Sequence, residues 1–190
     1  MKSIKSYFKK TSLNENSIFE GNKEVIDNKI KYLLNDKDMT ASVSNGSKAF
    51  GNISIPRIVM YKNQEYLVTN ILKRAFYLSK IKSVKFSNDS ELKHIGNESF
   101  SNCPIESISI PAHVTEIGEK AFYFCQKLYS VQFQSNSELK TIGIGAFAYT
   151  KFKNIEIPSS VIEIKDVAFF DSCLENIFIP KDSKLEIFGE

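Results

Sequence analysis

The chain has 190 residues, 42% of them apolar, with 25 basic and 22 acidic side chains and a formal net charge of +3. This suits one folded domain plus a tail, and the charge is too small to argue for nucleic acid. No segment approaches the length of a membrane span.

Residues 1–28 are polar after the first ten and lack clear periodicity, so they read as a mobile N-terminal tail. The opening MKSIKSYFKK is the exception. Ile4, Tyr7 and Phe8 stand at i, i+3 and i+4, so one helical turn puts all three on one face, among Lys2, Lys5, Lys9 and Lys10. This segment resembles the PCNA-interacting peptide by which replication and repair proteins hold the sliding clamp. Ile4 takes the aliphatic position and Tyr7 and Phe8 the aromatic pair; Met1 stands where the motif has Gln. The resemblance implies weak binding to PCNA through Met1, Ile4, Tyr7, Phe8, Lys9 and Lys10, a role in DNA replication or repair, and a nuclear (or cytoplasmic) location. Packing onto the body of the protein, or lying on a membrane surface as a short basic amphipath, are the alternatives for the same segment.

Residues 29–70 form the next unit. Ile30, Tyr32 and Leu34, then Thr40, Ser42 and Ser44, alternate across Asn35–Asp38, which signals a β-hairpin. A hairpin here is expected to cap the first coil of the repeats that begin near residue 71, since an open end exposes apolar side chains and a sheet edge. Ile53-Ile55-Pro56 matches the strand of those repeats and adds an early rung. The surplus VMYKNQEYL reads as a second hairpin.

From residue 71 to 190 the sequence repeats itself every 22 to 25 residues. An Ile recurs at Ile71, Ile95, Ile117, Ile142, Ile164 and Ile187, and a Phe keeps step at Phe76, Phe100, Phe122, Phe147 and Phe169. A third landmark carries apolar residues at its positions 1, 4 and 6, as in Ile105-Ile108-Ile110 and Leu174-Ile177-Ile179. The 4-to-6 alternation marks a half-buried strand, and Pro111, Pro158 and Pro180 end three such strands. The Ile-Gly piece suggests a second short strand, and Glu119–Cys125 suggests one helical turn. The position three after each Phe is small (Ser79, Cys103, Cys125, Thr150, Ser172), as a tight corner requires. A unit of this length cannot bury its own apolar face, so neighbouring units stack with a ladder of Phe inside.

IESISIPAHVTEIGEKAFYFCQKL and IEIPSSVIEIKDVAFFDSCLENIFIP closely resemble BspA-like leucine-rich repeats, and the likeness runs from about residue 51 to 190. Leu72, Lys165 and Phe188 replace the repeat glycine. The resemblance implies an α/β leucine-rich repeat solenoid, and it implies surface or adhesion roles as in the bacterial members of the family. No export signal is read in the first thirty residues, which argues for a reducing compartment, as does the odd count of three cysteines. The sequons at Asn45, Asn52, Asn88 and Asn97 are then expected to stay unmodified.

No catalytic constellation is visible, and neither a cofactor nor a metal is expected. His94 and His113 lack Cys or carboxylate partners at metal-ligand spacing. Gly143 and Gly145 belong to the repeat corner, and no Gly-Lys-Ser/Thr comes after them. The remaining candidate surface is the outward face of the repeat strands: Lys82, Glu106, Tyr129, Lys153 and Glu175 in one row, and Lys85, Glu156 and Phe178 in another. A third row holds Ser83, Ser107, Ser130, Asn154 and Asn176. The signs alternate, which suits a protein partner rather than a nucleic acid. The last unit, ending KLEIFGE, carries no polar closing segment, so self-association through the C-terminal coil is expected. The sequence supports two readings: a non-enzymatic scaffold that binds PCNA through its N-terminal peptide, and a cell-surface or secreted recognition protein that uses the outward strand face.

Overall fold

The computed structural model describes residues 23–190. Sixteen strands and no helix occur among the described residues. Their order is β1 (Glu24–Asp27), β2 (Ile30–Asn35), β3 (Thr40–Asn45), β4 (Phe50–Ile55), β5 (Ile58–Tyr61), β6 (Gln64–Ile71), β7 (Lys80–Phe86) and β8 (His94–Ile95). They continue as β9 (Ser107–Ile110), β10 (Glu116–Ile117), β11 (Ser130–Phe133), β12 (Thr141–Ile142), β13 (Asn154–Glu156), β14 (Glu163–Ile164), β15 (Asn176–Phe178) and β16 (Ile187–Phe188).

The chain winds as a parallel-stranded solenoid. One side is a column of short strands, β6-β8-β10-β12-β14-β16, in parallel register: Ile71 lies beside Ile95, Ile117 beside Ile142, and Ile142 beside Ile164. The opposite side stacks the longer strands β4-β7-β9-β11 and, as a separate pair, β13-β15. The early rung read at Ile53-Ile55 is present, with Ile53 beside Val84 and Ile55 beside Phe86.

Alternation explains which side chains enter the space between these two walls. In β7 the pattern is Ile81, Val84 and Phe86 inward and Lys80, Lys82 and Lys85 outward. Phe76, Phe100, Phe122 and Phe147 are wholly buried. Their ring centroids succeed one another at 5.0, 5.2 and 5.2 Å with planes within 6° of parallel, and Phe169 continues the column at 6.0 Å. That spacing is close to the roughly 4.8 Å separation of neighbouring strands, so one ring per coil stacks without adjusting the backbone.

The expected helical turn is corrected to a run of β-turns, and the α/β label with it. Residues two before and two after each column Phe lie at positive φ: Arg74 and Leu78, Glu98 and Asn102, Lys120 and Phe124, Gly145 and Tyr149, Val167 and Asp171. Within a corner, alternate N–H groups bond three residues back, as in Ala121 to Gly118 O (3.3 Å), Tyr123 to Lys120 O (3.1 Å) and Cys125 to Phe122 O (3.2 Å). The N–H groups between them cross to the next coil: Lys120 to Ile144 O, Phe122 to Ala146 O and Phe124 to Ala148 O, at 2.8 to 3.0 Å. An α-helix sends every N–H four residues back along its own axis and leaves none for a neighbour. Alternating turns release half of the donors to the stack. A left-handed residue costs about 1–2 kcal/mol when it carries a side chain, and the crossing bonds offset that cost.

The front of the chain is antiparallel. β1 pairs with β2, β2 with β3 and β5 with β6, while β3 runs parallel to β6. β1 falls within residues 1–28, which the sequence suggests are tail; Glu24–Asp27 alternates, and Val25 is buried in the core. Gly46, just after β3, lies on the Phe76 ring: a Cβ there would stand 2.1 Å from a ring carbon. Tyr32 is buried, its hydroxyl has no hydrogen-bond partner among the described residues, and burial raises its pKa. At the other end the core thins. Ile179, Ile187 and Phe188 are about half exposed, whereas Ile157 and Ile164, the counterparts of Ile179 and Phe188, are buried. The register sets Ile187 beside Glu163 and Phe188 beside Ile164, so the last unit is one residue off the sequence count, and Gly189 rather than Phe188 stands at the repeat glycine position.

Phe122 sits mid-column, with a stacked ring on each face. Phe122→Ala should lower stability by about 3–5 kcal/mol, read as a fall in the urea midpoint without loss of the strand signature in circular dichroism.

Candidate interaction surface

The outward side chains of the long strands lie side by side within two ladders, β4-β7-β9-β11 and β13-β15. Register pairs Ser83 with Ser107, Ser107 with Ser130, and Asn154 with Asn176. This row is cross-linked by short polar contacts: Ser83 Oγ donates to Asn52 Oδ1 at 3.0 Å, and Asn176 Nδ2 donates to Asn154 Oδ1 at 2.8 Å. Lys82, Lys85, Tyr129, Lys153, Glu156, Glu175 and Phe178 are exposed, and Glu106 is half-buried. Tyr129 and Phe178 are 61% and 56% exposed, which is unusual for aromatic side chains. Lys153 Nζ meets Glu175 Oε1 at 2.7 Å; this pair raises the lysine pKa, first through the hydrogen bond and then through the carboxylate charge. Met1, Ile4, Tyr7, Phe8, Lys9 and Lys10 lie outside the described residues.

A second exposed feature was not read from the sequence. Tyr149 contacts Tyr123 edge-on at 5.3 Å, Phe124 at 5.7 Å and Phe170 edge-on at 5.6 Å, which makes an aromatic ridge along the corners. These residues come one or two positions after the column Phe, so they carry no alternation that would mark them as a group.

The histidines each gain an acid from the next coil. His94 Nδ1 is 3.8 Å from a Glu116 carboxylate oxygen, and His113 Nδ1 is 3.1 Å from a Glu138 oxygen. Sequence spacing hid both partners, because they stand a full repeat away. Each is an exposed single pair, and no cluster of three metal-ligating side chains occurs among the described residues.

The small corner residues are hydrogen-bonding spacers. Cys103 Sγ donates to Phe76 O at 2.9 Å and lies 3.3 Å from Ser79 Oγ; Cys125 Sγ donates to Phe100 O at 3.2 Å; Thr150 Oγ1 donates to Phe147 O at 2.7 Å. All three cysteines are free thiols. Burial pushes the Cys103 thiol up to about 11, against the opposing hydrogen bond from Ser79, and burial pushes Cys125 up as well. Burial thus disfavours the thiolate, the reactive form, at both positions. A thiol reagent at neutral pH should label Cys173 in the folded protein and reach Cys103 and Cys125 only in denaturant; mass spectrometry counts the labels, and fast modification of either buried thiol contradicts the burial.

This geometry has counterparts among known proteins. A family model described as the BspA type leucine rich repeat region matches in six copies, over residues 2–129 and 43–175. The pneumococcal vaccine antigen PcpA has a similar fold, with a TM-score of 0.68 and 22% identity over 84% of this chain and 50% of that one. The chain thus spans about half the length of that antigen structure. A leucine-rich repeat protein from Bacteroides capillosus ATCC 29799 has a TM-score of 0.52 and 25% identity over 83% of this chain and 98% of that one. No curated protein sequence matches the chain.

Proposed function

Because the chain belongs to the BspA type leucine-rich repeat family, we propose that it is a non-enzymatic recognition protein displayed at the cell surface. It offers the outward face of its long strands to a protein partner. The observation that carries this reading is that face itself. The parallel stack holds Tyr129 and Phe178 in the open together with a row of Ser and Asn side chains that lie side by side within each of its two ladders. Exposed aromatics on a rigid frame supply contact area at little entropic cost, and the small polar groups beside them adapt to a partner. The antiparallel strands β1–β3 close the front of the stack in this proposal, because they occupy the edge that a preceding coil would otherwise need.

PcpA is named as a vaccine antigen, which is in keeping with display to the outside; its identity to this chain carries the fold alone. Neither the family nor these structural relatives supports PCNA binding, a replication role or a nuclear location. The surface reading, secondary in the sequence, takes the first place.

Antibodies raised against the folded chain should stain intact, unpermeabilised cells of the source organism, and brief protease treatment of those cells should remove the stain. Staining only after permeabilisation contradicts surface display.

A further inference from the structure

The ladder of long strands is interrupted at one step, and the interruption opens a recess. Up to β11 the N–H of each unit's second strand-face residue bonds the carbonyl of its counterpart: Glu106 to Lys82 O at 2.9 Å and Tyr129 to Glu106 O at 3.0 Å. The pattern resumes with Glu175 to Lys153 O at 2.7 Å. Between them it fails. No bond links Lys153 N–H to Tyr129 O, β11 does not pair with β13, and the Leu128 carbonyl is instead taken by Lys151 N–H at 2.9 Å. Elsewhere the same two coils remain joined, through Thr141 beside Glu116 and through Phe122 N–H to Ala146 O at 2.8 Å. The gap is therefore local to the outward face.

The core also changes at this step. Ile81, Ile105, Leu128 and Leu174 occupy one position of the unit, and Phe152 occupies it in the interrupted coil. The ring of Phe152 is wholly buried, edge-on to Phe147 at 5.7 Å and to Phe169 at 6.4 Å. A close-packed interior has little spare volume for the larger side chain, and we attribute the break to it.

The recess has a volume of about 470 Å³ and is lined by Tyr129, Ser130, Lys151, Lys153 and Asn154. None of these lining residues carries a carboxylate, and the ammonium groups of Lys151 and Lys153 reach toward the next coil, at Cys173 and Glu175. Lys151 makes no ion pair among the described residues and reaches only Cys173 Sγ, at 3.5 Å. Lys153 is held by Glu175 in a pair whose side chains are 66% and 58% exposed, and exposed pairs of this kind exchange partners at little cost. Lys151, Lys153 and Glu175 together carry a charge of +1, which favours an anionic group. We propose that this recess binds the carboxylate of an Asp or Glu side chain on an extended acidic peptide. Lys151 and Lys153 meet the charge, and the neighbouring amide row at Asn154 and Asn176 meets the peptide's main chain. The proposal deepens the strand-face reading and rests on it.

The test uses the full chain and fluorescent, end-blocked peptides of alternating Glu and Gly. A Gln-Gly isostere serves as the neutral control, and a galacturonic acid trimer as a competitor that carries carboxylates on sugar. The Glu peptide should bind, with an affinity that falls as salt rises, and the Gln isostere should not. Lys151→Gln with Lys153→Gln should weaken binding about tenfold or more, whereas Lys127→Gln, outside the recess, should leave it unchanged. Phe152→Leu should restore the ladder and weaken binding with every lysine in place; a thermal melt of this variant confirms that it folds. Equal binding of the Gln isostere, displacement by the sugar acid at lower concentration than by unlabelled Glu peptide, or an unaffected double lysine variant each overturn the proposal. Because cell-surface staining does not depend on this recess, a protein that stains intact cells but ignores the peptide loses this inference alone.

Discussion

The whole molecule depends on one spacing. Neighbouring coils must lie about 4.8 Å apart for their strands to pair, and the column of Phe76, Phe100, Phe122 and Phe147 meets that demand with centroid steps of 5.0 to 5.2 Å. Backbone and side chain thus ask for the same distance, which is the kind of agreement between levels that defines a single fold. The corners obey it too. They give up helical bonding and accept left-handed residues as bulky as Leu78, Phe124 and Val167 so that alternate N–H groups can reach the next coil. Close approach of backbones is the other side of this constraint. A Cβ on Gly118 would stand 2.7 Å from the Asn97 nitrogen and 2.9 Å from the Gly96 carbonyl carbon, so that position has no room for a side chain.

Much of this was written in the chain, because burial imposes periodicity. The strands at Ile81-Val84-Phe86 and its equivalents, the Ile column as far as Ile164 and the small corner residues could be located by counting; in the last unit the count gives Ile187, and Phe188 takes the place beside Ile164. The corner geometry could not. One helical turn and a run of β-turns both direct Ala121 and Phe122 inward, and nothing intrinsic to Lys120 or Phe124 favours positive φ; the bonds to the next coil decide. β1 escaped notice because four residues, Glu24–Asp27, are too few to show a period.

The outward face shows the same division. Which side chains point out is set by alternation, so the rows through Tyr129 and Asn154 were legible. What those rows do next to one another was not. The partners of His94 and His113 come from a coil away, and the aromatic ridge of Tyr123, Phe124, Tyr149 and Phe170 assembles from different units. The break between β11 and β13 is hidden in a different way. Phe152, at this step, is as apolar as the Ile and Leu residues it replaces, so a hydrophobic pattern passes over it.

The central claim is that alternate corner N–H groups bind the stack together. Native-state amide hydrogen exchange tests it directly, residue by residue. The amides of Phe100 and Phe122, which bond Ala121 O and Ala146 O of the next coil at 2.8 Å, should exchange only through global unfolding. The amide of Phe169, which has no backbone partner among the described residues, should exchange far faster. Equal protection of all three would mean that each corner bonds within itself, and would contradict the account.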